Sequence, residues 1–256
     1  MKLAIAGKGG AGKTTFTAIT SRLIARVGIN VVAIDADSNP NLDAALGIPD
    51  AQYSSLPISL VSRKLDGPRL NESVRHVLDQ HAVLAPDGVL LLRMGRPEHA
   101  DEGCLCSAHA TVSAVVADLA DQPNMCTILD LEASPEHLSR GTARHADVLV
   151  LIAEPYFRSL EAVRLQARLA AESSIGRIVV VANKIRQEGD LLAVKEFCER
   201  NGFELIGHIP WDTNALDADA QRQSLLDFAP DSPAVTAVEL IVKDLLAIFA
   251  PKKGSH

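Results

Sequence analysis

The chain has 256 residues, of which 47% are apolar and 22% charged, with 25 basic against 32 acidic side chains for a formal net charge of −7. That length suits one α/β domain with a sizeable core, and the acidic balance argues against broad nucleic-acid binding. No run approaches the roughly eighteen uninterrupted apolar residues of a membrane span, the N-terminus enters a strand with no export signal, and four cysteines in a chain expected in the cytoplasm read as reduced thiols or metal ligands.

The first apolar run, Met1 to Ala6, leads into Gly7-Lys8-Gly9-Gly10-Ala11-Gly12-Lys13-Thr14-Thr15. A helical pattern of Phe16, Ile19, Leu23, Ile24 and Val27 follows. Strand, glycine-rich loop and helix in that order predict a phosphate loop. Successive backbone N–H groups must point into one concavity to wrap phosphates, which is why glycines recur here. The cradle comprises Gly9, Gly10, Ala11, Gly12, Lys13, Thr14 and Thr15, with the phosphates on a helix N-terminus. Lys13 supplies a point charge to the β and γ phosphates, and the Thr14 hydroxyl completes a Mg²⁺ shell. Lys8 sits on the outer rim, placed to reach toward a neighbouring chain or to remain a solvated lysine.

Asn30 to Asp35 is a continuous apolar run ending in a carboxylate, as expected for a parallel strand covered on both faces. Asp35 and Asp37, spaced by one residue in an extended segment, point the same way, toward a metal and an attacking water. The alternative is a helix cap at Asp37 or Ser38. Residues 49–87 carry prolines, polar residues and a predicted helix from Asn71 to His81, with Arg63, Lys64 and Arg69 as a solvated face. A strand returns at Val89 to Met94. Beyond it stands Cys104-Leu105-Cys106, ahead of a helical pattern over Ala110, Val112, Val115, Val116 and Leu119. A one-residue spacer in an extended segment puts both sulfurs on one side, within reach of one soft ion. Two thiolates leave a tetrahedral ion half coordinated, and a two-fold dimer completes four ligands. Two ordinary small apolar cysteines are the other reading of the same spacing. His99 and His109 flank the pair, as assisting ligands or as surface or capping residues.

Met125 to Asp130 is the next buried strand, and Asp130 at its end holds a Mg²⁺ shell through water. Cys126 and Cys198 read as packing. Strands at 148–153, 178–182 and 205–209 then alternate with helices at 160–171, 191–200 and 235–249, which implies right-handed crossovers and a parallel sheet. Ile209-Pro210-Trp211-Asp212 reads either as a wall of a base pocket or as a turn before a helix. The expected organisation is one phosphate-loop NTPase domain over 1–250, α/β with a mostly parallel central sheet flanked by helices, and a disordered tail at 251–256.

Lys8 to Thr15 resembles the deviant Walker A loop of the dimeric ATPases that include the nitrogenase iron protein, the MinD and ParA proteins, the arsenite-pump ATPase and the nickel-insertion ATPases of carbon monoxide dehydrogenase. That resemblance implies that Lys8 crosses a dimer interface to the partner's ATP. It makes residues 35–42 a first switch, with Asp35 near the Mg²⁺ and Asp37 orienting or activating water. Residues 131–142 are similar to the second switch, with a His-Leu-x-Arg-Gly-Thr tail, though Ser134 stands where the family usually has glycine. Asn183-Lys184 resembles the pair that reads the nucleotide base. Arg186 occupies the position where guanine-selective relatives carry an aspartate, so ATP is the expected nucleotide.

Among these ATPases the combination of Lys8, Met94-Gly95 and Cys104-x-Cys106 most closely resembles the CooC-type nickel-insertion group. The resemblance implies a cytoplasmic ATP hydrolase that forms a homodimer on binding nucleotide or metal. It would hold Ni²⁺ or Zn²⁺ between the cysteine pairs of two subunits and serve a client metalloenzyme of the carbon monoxide dehydrogenase type, with no nucleic-acid or membrane partner. The alternative is a MinD/ParA-type positioning or partitioning ATPase without metal cargo. The apolar C-terminal segment, however, reads as a packing helix and not as a basic membrane anchor.

Overall fold

The computed structural model describes residues 1–49, 55–64, 67–95, 106–120, 122, 124–133 and 143–249. The four most buried strands are β1 (Lys2–Gly7), β2 (Asn30–Ala36), β7 (Met125–Leu131) and β8 (Val148–Ala153). Each is apolar on both faces, because successive residues point to opposite sides of a sheet that is covered twice. Along β1, Leu3 and Ile5 enter one core cluster while Ala4 and Ala6 enter the other. Val148, Val150 and Ile152 of β8 likewise alternate with Leu149, Leu151 and Ala153.

β3 (Val61–Lys64) and β4 (Gly67–Leu70) form a separate antiparallel pair, and β5 (Val83–Leu84) joins the sheet antiparallel to β6 (Leu90–Arg93). With β9 (Arg177–Ile185) and β10 (Glu204–Pro210), the main sheet runs β10-β9-β8-β1-β7-β2-β6-β5, and every pairing except β5 with β6 is parallel. Such a sheet gathers ligand-binding residues at the carboxyl ends of its strands.

One side is covered by α1 (Lys13–Arg26), the short α2 (Leu42–Leu46) and the C-terminal helix α9 (Pro233–Phe249); the other by α3 (Val74–His81), α4 (Cys106–Leu119), α5 (Phe157–Ala171) and α6 (Glu188–Asn201). α7 (Thr213–Ala220) and α8 (Leu225–Phe228) lie between β10 and α9. The apolar face of α9, including Val235, Val238, Ile241 and Leu245, is buried in the core, as the packing-helix reading expected. Arg22 of α1 ties this side together. Its guanidinium is 3% exposed, makes two bonds to Asp227 at 2.6 and 2.7 Å and a third to Asp87 at 2.6 Å.

Several element boundaries differ from the sequence reading for local reasons. α3 starts at Val74 and not at Asn71, because Ser73 is its N-cap, accepting from the His76 N–H, while Asn71 donates to the Ser59 carbonyl beside the β3–β4 pair. β9 continues through Asn183 and Lys184 to Ile185, kept in the sheet by β10. Neither the two-residue β5 nor the β3–β4 pair follows from apolar periodicity. Cys126 and Cys198 are buried free thiols, one in each core cluster, and burial raises them to about 12 and about 11.

Candidate functional site

The loop between β1 and α1 turns as its glycines require. Gly12 caps α1 with φ of 94°, a left-handed backbone that L side chains seldom adopt. A Cβ there would lie 2.4 Å from Asn183 Nδ2. Gly7 has φ of 147°, and its Cβ would meet the Ile152 carbonyl oxygen at 2.6 Å. These two positions admit only glycine, because β8 and β9 approach the loop on its flank.

Three strand ends converge beneath the start of α1. Asp35 and Asp130 are direct neighbours across the parallel β2–β7 pair. Both side chains therefore point to the same side of the sheet, the side on which α1 lies. The Thr14 hydroxyl donates to Asp130 Oδ2 at 2.6 Å and Thr17 to Oδ1 at 3.4 Å. Asp130 is 1% exposed, and burial, aided by the charge of Asp35, pushes it up to about 7 against the pull of the Thr14 bond and of Lys13. A buried carboxylate beside a hydroxyl at the mouth of a phosphate loop is a hard-oxygen donor set matched to Mg²⁺. A divalent cation there would relieve the charge that desolvation penalises.

Asp35 is engaged differently. Its Oδ2 accepts from the backbone N–H groups of Asn41 and Leu42 at 3.0 and 2.9 Å, and Oδ1 accepts from Asp37 N–H at 3.2 Å. The carboxylate thus gathers the loop that follows β2 and starts α2, while burial pushes it up to about 6. Asp37 lies beyond the strand with its Oδ1 accepting from Asn39 N–H at 2.8 Å. Asp43 of α2 pairs with Arg93 at the end of β6 at 2.9 Å, so the loop is also braced from the neighbouring strand.

Lys13 is 7% exposed and its Nζ lies 3.4 Å from the Lys8 carbonyl. Lys8 is partly exposed, with its ammonium 5.7 Å from the centroid of the Tyr156 ring. Asn183 and Lys184 both grip the phosphate loop. Asn183 Nδ2 donates to the Ala11 carbonyl at 2.7 Å and Lys184 Nζ donates to the Gly10 carbonyl. Asn183 Oδ1 accepts from Lys184 N–H at 2.8 Å. A carboxamide has two hydrogens and two lone pairs, so capacity for a base edge remains after these contacts.

A cleft of about 890 Å³ runs from Gly10, Gly12, Lys13, Thr14 and Thr15 past Asn183 and Lys184 to Pro210, Trp211 and Asp212. Trp211 is set by its N–H bond to the Ile185 carbonyl at 2.8 Å and stacks with Arg186, whose guanidinium carbon is 4.0 Å from the ring centroid. Asp212 caps α7 through Asn214 N–H at 2.9 Å. Residues 209–212 are therefore both a cleft wall and the entry to a helix.

The sequence reading had no place for Glu154, Tyr156, Thr17, or the Arg93–Asp43 and Arg186–Trp211 pairs. Glu154 carried a usable signal, since it is a carboxylate directly after a buried strand, at the sheet edge where ligands gather. Of the cysteine pair, Cys104 lies outside the described residues, and Cys106 is the first residue of α4, of whose side chain nothing is described. His99 and the second-switch residues 134–142, Ser134 included, also lie outside them, as does the tail at 251–256. His109 is 3% exposed within α4. Among the described residues, no three His, Cys, Asp or Glu side chains converge as a metal site, and no helix is long and apolar enough to cross a membrane.

A profile of the CobQ/CobB/MinD/ParA nucleotide binding domain matches residues 2–226. The carbon monoxide dehydrogenase accessory protein CooC of Rhodospirillum rubrum is 34% identical over 241 residues, covering 90% of this chain and 91% of that one. Among solved structures, a ParA family ATPase from Chlorobium tepidum superposes with a TM-score of 0.73 at 20% identity, over 95% of this chain and 98% of its own. The septum site-determining protein MinD complexed with Mg-ADP from Pyrococcus horikoshii gives 0.73 at 19% identity, over 98% and 100%.

Proposed function

The chain belongs to the CobQ/CobB/MinD/ParA nucleotide-binding family, and from that membership we propose that it is a dimerising ATP hydrolase that delivers metal during maturation of a metalloenzyme of the carbon monoxide dehydrogenase type. The observation that carries the reading is the 34% identity with CooC along nine-tenths of both chains.

In this reading Gly9, Gly10, Ala11, Gly12 and Thr15 cradle the phosphates with backbone N–H groups, and Lys13 turns from the Lys8 carbonyl to the β and γ phosphates. Thr14 and Asp130 hold Mg²⁺ directly or through water, with Asp35 at one remove, fixing the loop that presents Asp37. Bound Mg²⁺ would supply charge neutralisation to the phosphates. Asp37 orients the attacking water. Asn183, Lys184 and Pro210 bound the base, and ATP is favoured because Arg186 offers donors where guanine would require an acceptor. Lys8 reaches the triphosphate of the partner subunit, which makes hydrolysis depend on dimerisation.

The metal is substrate, held by Cys104 and Cys106 from each of two subunits; Ni²⁺ is the expected cargo, and Zn²⁺ suits the same thiolates. Loss of the γ-phosphate contacts would relax both switches and open the interface. A positioning or partitioning ATPase remains the alternative, but the apolar face of α9 is committed to the core and so does not serve it as a membrane anchor.

The deciding experiment measures metal per dimer with ATP and with ADP, for the native chain and for Cys104→Ser/Cys106→Ser. One ion per dimer in the native protein and none in the double variant is expected. Stoichiometric metal that persists without the cysteines would overturn metal delivery.

A further inference from the structure

Beside the phosphate loop lies a pair of side chains, Glu154 and Tyr156, that the proposed chemistry does not use. Glu154 follows β8 and is 7% exposed. Its Oε2 accepts from the Tyr156 hydroxyl at 2.7 Å, and its Oε1 is 2.9 Å from Lys184 Nζ, the ammonium that also donates to the Gly10 carbonyl. Lys184 has φ of 59°, a left-handed backbone uncommon outside glycine, and its side chain joins the loop to Glu154. The Tyr156 backbone is fixed as well, its N–H donating to the Glu154 carbonyl at 2.8 Å and its carbonyl accepting from Ser159 and Leu160. The ring is therefore held by its hydroxyl and by its main chain, while 41% of the residue remains exposed. Over that ring, 5.7 Å from its centroid, is the Lys8 ammonium, within the range of a cation–π attraction. Among the described residues, Lys8 Nζ also donates to the Gly9 carbonyl at 3.5 Å, a stretched bond.

We infer that Tyr156, anchored by the buried Glu154, is a positioning residue that retains the Lys8 ammonium within its own subunit, so that Lys8 reaches a partner's phosphates only by leaving the ring. The inference rests on the reading of Lys8 as an interface residue. The hold suits a release step. A ring face attracts a cation without neutralising it, so a triphosphate, with several formal charges, outcompetes it where a carboxylate in the same place would resist. Burial together with the Glu154 bond pushes the Tyr156 hydroxyl up to about 12, so it remains a donor to Glu154 across the physiological range. A cation over an exposed ring is worth about two- to fivefold in an equilibrium, which is enough to set a threshold for self-association without blocking it.

The test is ATP-dependent self-association by analytical ultracentrifugation, with ATP and Mg²⁺ at fixed excess, for the native chain, Tyr156→Leu, Tyr156→Phe, Lys8→Ala and Lys8→Ala/Tyr156→Leu. Tyr156→Leu should lower the dimerisation midpoint about four- to 25-fold, two- to fivefold for each of the two subunits, with Tyr156→Phe between it and the native protein because the ring stays and its anchor is lost. The double variant should match Lys8→Ala. Simple structural damage at Tyr156 would weaken association, the opposite direction. A Tyr156→Leu midpoint that is unchanged or higher, or an equal shift in the Lys8→Ala background, overturns the inference. Native-like association of Lys8→Ala would sink the interface reading itself, whereas a defective Lys8→Ala beside an unresponsive Tyr156→Leu sinks only the role of the tyrosine.

Discussion

Replacing Asp130 by asparagine should stabilise the nucleotide-free protein while abolishing its use of Mg²⁺. The carboxylate is 1% exposed and accepts from the hydroxyls of Thr14 and Thr17; burial lifts it from 3.8 to about 7. Because the folded-state value is the higher one, its contribution to stability is complete below pH 3.8 and is lost as the pH rises through about 7. At 1.36 kcal/mol per pKa unit, the whole span corresponds to about 4 kcal/mol, most of it already lost at pH 8. Asparagine keeps an acceptor for Thr14 and carries no charge to desolvate. Asp130→Asn should therefore exceed the native chain in stability at pH 8, with the gap widening by about 2 to 3 kcal/mol between pH 5 and pH 8. Urea unfolding of both proteins in chelator at four pH values measures this, and comparing them at each pH cancels titrating groups that do not interact with Asp130, such as Asp87. Calorimetric titration with ATP and Mg²⁺ should show the variant losing the metal-dependent part of binding. A gap that is constant or shrinks as pH rises would refute the argument that a desolvated charge is stored at this strand end.

Gly12→Ala should weaken ATP binding at least about tenfold, since the left-handed backbone alone costs about 1–3 kcal/mol and the new methyl would displace Asn183 from the Ala11 carbonyl; near-native affinity by calorimetry would contradict the packing at the loop. Arg22→Met should cost about 3 kcal/mol in urea unfolding, at the low end for breaking a buried ion pair because Asp227 is half exposed. A loss below about 1 kcal/mol would mean that the network contributes little beyond its packing. Trp211 is the chain's only tryptophan, so its fluorescence should change on ATP binding if it walls the base pocket. Arg186→Asp should shift the ATP-to-GTP affinity ratio toward GTP by about tenfold, and an unchanged ratio would remove Arg186 from base selection.

The sequence alone determined the phosphate loop, the alternation of strands and helices, and hence the parallel sheet, because each depends on local rules. Glycines mark backbone that side chains obstruct, and apolar runs of strand length mark burial on both faces. It also identified Asp35 and Asp130 as strand-end carboxylates. Only the tertiary structure decided how they differ. Asp35 is surrounded by the N–H groups of its own loop, whereas Asp130, its neighbour across the pair, faces the hydroxyls of α1. The same holds for Asn183 and Lys184, whose contacts to Ala11 and Gly10 span more than 170 residues of chain, and for Tyr156 beneath Lys8. Periodicity reports which residues are buried, but a side chain's partner depends on which distant strands become neighbours, and that is fixed by sheet order, on which local pattern carries no information.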